Sequence, residues 1–216
     1  MEQIVEQLLR SPKLEIYLEQ INAARVNEKA ARQRYLDEIT EDEKAEFING
    51  QVIIHSPVKF SHGRCVGRLG RFISTFVDIH RLGTVGQEHL LVSLTRNDYE
   101  PDLCFWRSDV SSEFQPNQMR FPAPDLIVEV LSPSTEAIDR GLKFEDYAAH
   151  NVREYWLVDP DTTVIEQYKL NEGKYEIILK SSSGFVRSTV IAAFEIPVAA
   201  IFDDGENLTA MKALHL

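Results

Sequence analysis

Between residues 61 and 83 the apolar positions recur at helical spacing. Val66, Leu69, Phe72, Ile73, Phe76 and Val77 fall on one face and predict an amphipathic helix. Gly63, Gly67 and Gly70 lie on neighbouring turns and are expected to permit close packing against a sheet. Arg64, Arg68 and Arg71 make a second stripe, either a solvated arginine face or a phosphate-facing one. Upstream, "KLEIYLEQINAARVNEKAARQRYLDEIT" contains no glycine or proline and is rich in good helix formers. Its apolar stripe of Leu14, Ile16, Tyr17, Leu18, Ile21 and Ala24 thins into charges. A helical extension over residues 1–43 is therefore expected, packed on the domain or on a second copy, ahead of a domain at 44–216.

The period then changes to that of strands. "AEFINGQVIIHSP" reads as a hairpin turning at Asn49–Gly50 and ended by Pro57. "EHLLVSLT" and "YEPDLCFW", joined by "RND", predict a second hairpin. "FPAPD" leads into the apolar strand "LIVEVL". "TVIEQYKL" and "KYEIILK", around "NEG", form a third hairpin with one solvated face. Residues 136–150 read as one helix despite Gly141, and "EYWLVDP" as a strand stopped by Pro160. The tail "STVIAAFEIPVAAIFDD" is expected to close the core. There is no internal repeat or linker. The fold class is α/β or α+β: a mixed central sheet flanked by helices, with a strand–helix–strand unit at 126–158.

Composition sharpens this only a little. At 216 residues, 44% apolar and 26% charged, the chain can bury one substantial core. No apolar run reaches the roughly 18–20 residues a membrane span needs, and "MEQIVEQLLRSPKLE" opens with acids rather than a basic secretory leader. Cys65 and Cys104 make no CxxC pattern and read as reduced core residues of a cytoplasmic protein. A net charge of −11 disfavours broad nucleic-acid binding, because phosphates repel such a field. A local basic patch or a metal-neutralised site stays compatible with it.

The chemistry begins with a misfit. Leu126 to Leu131 is an unbroken apolar run except for Glu129, and both faces of the strand are apolar. An unpaired carboxylate there costs several kcal/mol. Glu129 must be protonated, sit where the strand opens into a cleft, or meet a cation. Asp102 repeats the anomaly in "YEPDLCFW", 27 residues earlier. Acids from two neighbouring strands would converge only over a shared proton or cation, and an oxygen pair suits Mg²⁺ or Mn²⁺. Lys143, on the following helix, either points back over the sheet end to neutralise acids and hold a phosphate, or is an ordinary surface lysine. His62 either reaches the cleft mouth or caps a helix. Asp125 reads as a turn or cap, Ser132 and Ser134 as caps of the helix near Glu136, and Tyr155 and Trp156 as core and rim aromatics. No zinc spacing, serine-hydrolase elbow or phosphate loop is present.

"EPDLCFW", "PDLIVEVLSPST" and "RGLKFEDYAAHNVREYWLVDP" resemble the Uma2 family of restriction-endonuclease-like proteins, a branch of the PD-(D/E)XK nuclease superfamily. "KAEFINGQVIIHSPVKFSH" fits the same family's first hairpin and histidine-bearing helix start. The resemblance implies a restriction-endonuclease-like core and hydrolysis of DNA phosphodiesters with Mg²⁺ or Mn²⁺. Asp102 matches the motif aspartate and Glu129 the motif acid, with the Val130 carbonyl as a further metal ligand. Glu46 matches an acid that often completes the site. The superfamily places lysine two residues after Glu129, where this chain has Leu131; a lysine on the next helix stands in, which makes Lys143 the candidate. His62, Arg64 and Arg68 become candidate substrate contacts, DNA the expected partner and a homodimer the expected assembly. The rival expectation is a catalytically inactive nuclease fold serving as a binding or assembly module. A metal-assisted hydrolase of another phosphoester would share the same site.

Overall fold

The helical stretch that opens the chain is interrupted at Pro12, whose ring and missing N–H stop one helix before the next begins. In the computed structural model, which describes residues 2–40 and 44–214, the result is α1 (Glu2–Leu9) and α2 (Leu14–Glu38). Residues 41–43 of the expected extension, and the last two of the chain, lie outside the described residues. The chain divides into two units, 1–55 and 56–216.

In the first unit, β1 (Ala45–Ile48) pairs antiparallel with β2 (Gln51–Ile54). Asn49 (φ 49°) and Gly50 (φ 85°) supply the two positive φ angles of the tight turn that the sequence predicts. The last turns of α2 fasten to this hairpin. The Tyr35 hydroxyl donates to the Ala45 carbonyl at 2.6 Å, and its ring lies 5.6 Å from that of Phe47.

The second unit begins with α3 (Phe60–His80), β3 (Gly83–Gln87), β4 (Leu91–Ser93), β5 (Asp98–Tyr99) and β6 (Leu103–Arg107). Then come α4 (Ser108–Ser111), β7 (Arg120–Phe121), β8 (Leu126–Val130), α5 (Glu136–Asp139), α6 (Leu142–Ala149) and β9 (Glu154–Asp159). It closes with β10 (Val164–Asn171), β11 (Lys174–Ser181), β12 (Phe185–Arg187), β13 (Glu195–Pro197), α7 (Ala199–Phe202) and α8 (Asp204–Ala213).

Six of these strands form one mixed sheet in the order β11-β10-β9-β8-β6-β3. β8 and β9 run parallel, joined by α5 and α6, while β6 pairs antiparallel with both β8 and β3. The strand–helix–strand unit at 126–158 is thus present. One sheet face, with Leu103, Phe105, Leu126, Val128, Val130, Trp156 and Val158, packs with Leu69, Phe72, Ile73 and Val77 of α3. Each such side chain contributes about 1.5–3 kcal/mol of burial. The tail closes this core as expected, through Ile191, Phe194, Ile196 and Ile201. The architecture is mixed α+β.

Three expectations need correction. "YEPDLCFW" is not one strand: Pro101, lacking an N–H, ends the β4–β5 hairpin, and β6 starts afresh in the six-stranded sheet. Residues 136–150 are two helices, because Gly141 leaves helical geometry (φ −114°, ψ −94°) between α5 and α6. Of the three helix glycines, a Cβ at Gly70 alone would crowd the sheet, meeting the Gln87 side chain at 2.7 Å; Gly63 and Gly67 face open space. Among the described residues no helix is long and apolar enough to cross a membrane.

Candidate active site

Register decides where the two anomalous acids meet. β6 and β8 pair Leu103 with Val128, so the next antiparallel step sets Asp102 opposite Glu129, with both side chains on the same face. That face is turned away from the α3 core. Asp102 and Glu129 are 3% and 4% exposed, so each needs partners.

Both have them. Asp102 Oδ2 accepts the Val130 N–H at 2.8 Å and lies 3.2 Å from His62 Nε2, which arrives from the first turn of α3. Glu129 Oε1 accepts the Lys143 ammonium and the Tyr147 hydroxyl, each at 3.0 Å. Lys143 is itself buried, at 3% exposure. Its Nζ also lies 3.4 Å from Asp139 Oδ1 and 5.7 Å from the centre of the Tyr99 ring. The cation that makes a buried Glu129 tolerable is therefore the Lys143 ammonium. Lys143 is not a surface lysine.

Local sequence explains how this constellation holds. The break at Gly141 starts α6 so that Lys143 and Tyr147, four residues apart, present one face to β8. Asp139, at the end of α5, stands four residues before Lys143 and the Tyr155 hydroxyl donates to its carbonyl at 3.1 Å. The buried negative groups leave an imprint on that tyrosine. Burial first, and then the nearby charge of Glu129 and Asp139, hold the Tyr155 hydroxyl well above its ordinary titration range. Sequence reasoning missed Asp139 and Tyr147 as partners of the site. The usable signal was spacing: an acid and a tyrosine each four residues from the lysine.

His62 carries a further feature. It is 5% exposed, and its Nδ1 is buried with no hydrogen-bond partner among the described residues. Position 131, where the nuclease motif places its lysine, holds a Leu131 that is 7% exposed.

The other candidates have partners of their own. Arg64 and Arg68 both pair with Asp204, and Arg68 also donates to the Phe202 carbonyl at 2.8 Å. Arg71 donates to Asn207. The arginine stripe, expected to be solvated or phosphate-facing, holds α8 against α3. Two guanidiniums keep the exposed Asp204 carboxyl at a pKa of about 2, Arg68 contributing most and Arg64 next. Glu46 lies on β1, in the other unit, with Oε2 at 3.0 Å from His55 Nε2. Asp125 accepts the Arg107 N–H at 2.9 Å and the Arg153 guanidinium, clamping the strand ends opposite the site. Ser132 bonds Ser134 and Thr135 at 3.0 Å, so neither serine side chain caps α5.

The donor set tests which ion would fit. Among the described residues no three His, Cys, Asp or Glu groups are grouped to hold a metal. Two carboxylates of hard oxygen match an ion that keeps most of its waters, as Mg²⁺ and Mn²⁺ do. They do not match zinc, which prefers nitrogen and sulfur.

Comparison with known proteins places the chain in a family. Residues 32–199 match the model of the Uma2 family, described as "Putative restriction endonuclease". Two proteins of Synechocystis sp. are similar, both named as uncharacterized. The protein slr1290 is 33% identical over 159 residues, covering 70% of this chain and 80% of that one. The protein sll1609 is 28% identical over 130 residues, covering 59% and 72%. A crystal structure from Anabaena variabilis, of "a putative nuclease belonging to DUF820", superposes with a TM-score of 0.64 at 18% identity. It covers 73% of this chain and 89% of that one, and shares the fold. The chain belongs to the Uma2 family.

Proposed function

We propose that this member of the Uma2 family is a metal-dependent endonuclease that hydrolyses DNA phosphodiester bonds. The observation that carries the reading is Lys143 Nζ at 3.0 Å from Glu129, with Asp102 set opposite Glu129 on the adjoining strand. Asp102, Glu129 and the Val130 carbonyl would hold Mg²⁺ or Mn²⁺, which supplies charge neutralisation at the phosphate and a more acidic bound water. Val130 N–H and His62 fix the Asp102 carboxylate, so its oxygens are aimed before substrate arrives. Lys143 steadies the attacking water and the charge that builds on the phosphoryl oxygens, and Asp139 keeps its ammonium over the site. Tyr147 holds one Glu129 oxygen in place. The nuclease domain is proposed as residues 44–216, and the assembly as a homodimer in the cytoplasm.

Supercoiled plasmid and single-stranded DNA, incubated with Mg²⁺ or Mn²⁺, test this. Wild type is expected to nick and linearise DNA, and Glu129→Ala to lose at least about 100-fold in rate. Equal cutting by both overturns it.

A second reading, a binding or assembly module without catalysis, draws on the net charge of −11 and on Leu131 at the motif lysine position. Calorimetric titration with Mn²⁺ separates the two. Binding that disappears in Asp102→Asn supports the nuclease; absence of binding supports the module.

A further inference from the structure

The turn after β3 is strained where strain is least expected. Glu88 (φ 38°) and His89 (φ 55°) are consecutive non-glycine residues in the left-handed region, which side chains with a Cβ rarely occupy. The turn is anchored to the site segment, since the Glu88 N–H donates to the Asp102 carbonyl at 3.2 Å. Its position follows from topology. β3 is antiparallel to β6, and β6 to β8, so the end of β3 emerges at the sheet end that carries Asp102 and Glu129.

His89 has the surroundings of a working imidazole. Its Nδ1 lies 3.4 Å from Glu100 Oε2, and Glu100 is two residues before Asp102. The histidine side chain is 53% exposed whereas the Glu100 side chain is 4% exposed. The contact is one of charge and not a hydrogen bond; it draws Nδ1 towards the buried carboxylate and leaves Nε2 to meet an incoming molecule. A carboxylate beside an imidazolium steadies the charge that an acid carries until it gives up its proton. The nuclease reading already has groups for the metal, the water and the phosphoryl oxygens. It has none for the leaving oxygen.

We propose that His89, paired in charge with Glu100, is the general acid that protonates the leaving oxygen of the phosphodiester. This rests on the nuclease reading and deepens it. Water oxygen bonds to phosphorus as the bond from phosphorus to the ester oxygen breaks. The Nε2 proton of the imidazolium passes to that departing oxygen, giving a free hydroxyl group. The attacking water gives up its proton to solvent, and the neutral imidazole regains one from solvent.

The test compares leaving groups. DNA leaves as a poor alkoxide that needs a proton; bis(p-nitrophenyl) phosphate leaves as a phenolate that does not. His89→Asn keeps a residue that tolerates the left-handed backbone and cannot act as an acid. With Mn²⁺ and wild-type enzyme as reference, kcat on DNA is expected to fall about 100-fold or more. Turnover of bis(p-nitrophenyl) phosphate should stay within about threefold, since its leaving group needs no acid. Affinity for a labelled duplex, read by fluorescence anisotropy, should stay unchanged, because a general acid acts in the transition state. Glu100→Gln should show the same selective loss in milder form. Equal losses on both substrates, or no loss on DNA, overturn the proposal while leaving the metal site intact. If Glu129→Ala cuts DNA as well as wild type, the nuclease reading itself falls.

Discussion

Three buried charges in contact, Glu129, Lys143 and Asp139, make stability and chemistry hard to separate by single substitutions. Removing Lys143 leaves two buried carboxylates without their ammonium, at an expected cost of about 3–5 kcal/mol. Lys143→Met should therefore lower the urea midpoint markedly. Lys143→Met combined with Glu129→Gln should recover much of the loss, because a neutral amide replaces the stranded charge. Equal midpoints for the single and double variants would show that the pair is not coupled. The same contacts explain what could be read in advance. Asp102, Glu129 and Lys143 stood out because a charge inside an apolar run, or a lysine at the motif's alternative position, has few explanations. Asp139 did not stand out, because an acid beside Arg140 in a polar stretch looks like any solvated helix residue. His89 left no trace at all, since neither a positive φ nor a neighbour eleven residues away is visible in sequence.

At the scale of elements, the helices on the site face are held to the sheet by polar links as well as apolar ones. Arg140, between α5 and α6, donates to Glu166 Oε2 on β10 at 2.8 Å; Tyr168 donates to the same carboxylate, and Lys180 of β11 lies 2.9 Å from it. Burial alone would raise the Glu166 pKa, but the donors from Arg140, Tyr168 and Lys180 outweigh it and hold it at about 2. A depressed carboxylate pKa stabilises the fold above the ordinary value near 4.5 and loses that contribution as pH falls towards 2. Stability measured by denaturant midpoints should therefore decline between about pH 4.5 and pH 2, and less steeply in Glu166→Gln. An unchanged slope would remove Glu166 from the account. Element types were legible where one period persisted, as in α3, whose apolar face continues past three glycines, and in the β10–β11 hairpin. They failed at Pro101 and Gly141, where one residue redirected the chain between two elements of similar pattern. The β6–β8 register, which sets Asp102 opposite Glu129, is a long-range pairing that local periodicity does not encode.

For the whole molecule the question is how a chain of net charge −11 would hold a polyanion. Arg64 and Arg68 share Asp204 and Arg71 is held by the neutral Asn207, so the donors of the most obvious basic stripe are engaged within the fold. On the proposed function, attraction to phosphate would then come from a few groups near the sheet end, chiefly a bound divalent ion. Each phosphate neutralised by a protein cation adds about 0.9 to the slope of log affinity against log salt on duplex DNA. A protein that grips DNA through a broad basic surface shows slopes of about six or more. This chain should show a slope of no more than about three, measured by anisotropy on a labelled duplex with constant Mn²⁺. Binding should weaken sharply when the ion is chelated, because the field of the chain alone repels the backbone. A steep slope that persists without divalent ion would mean that a basic surface outside the site carries the grip, and that the acids of the sheet end do not set the affinity.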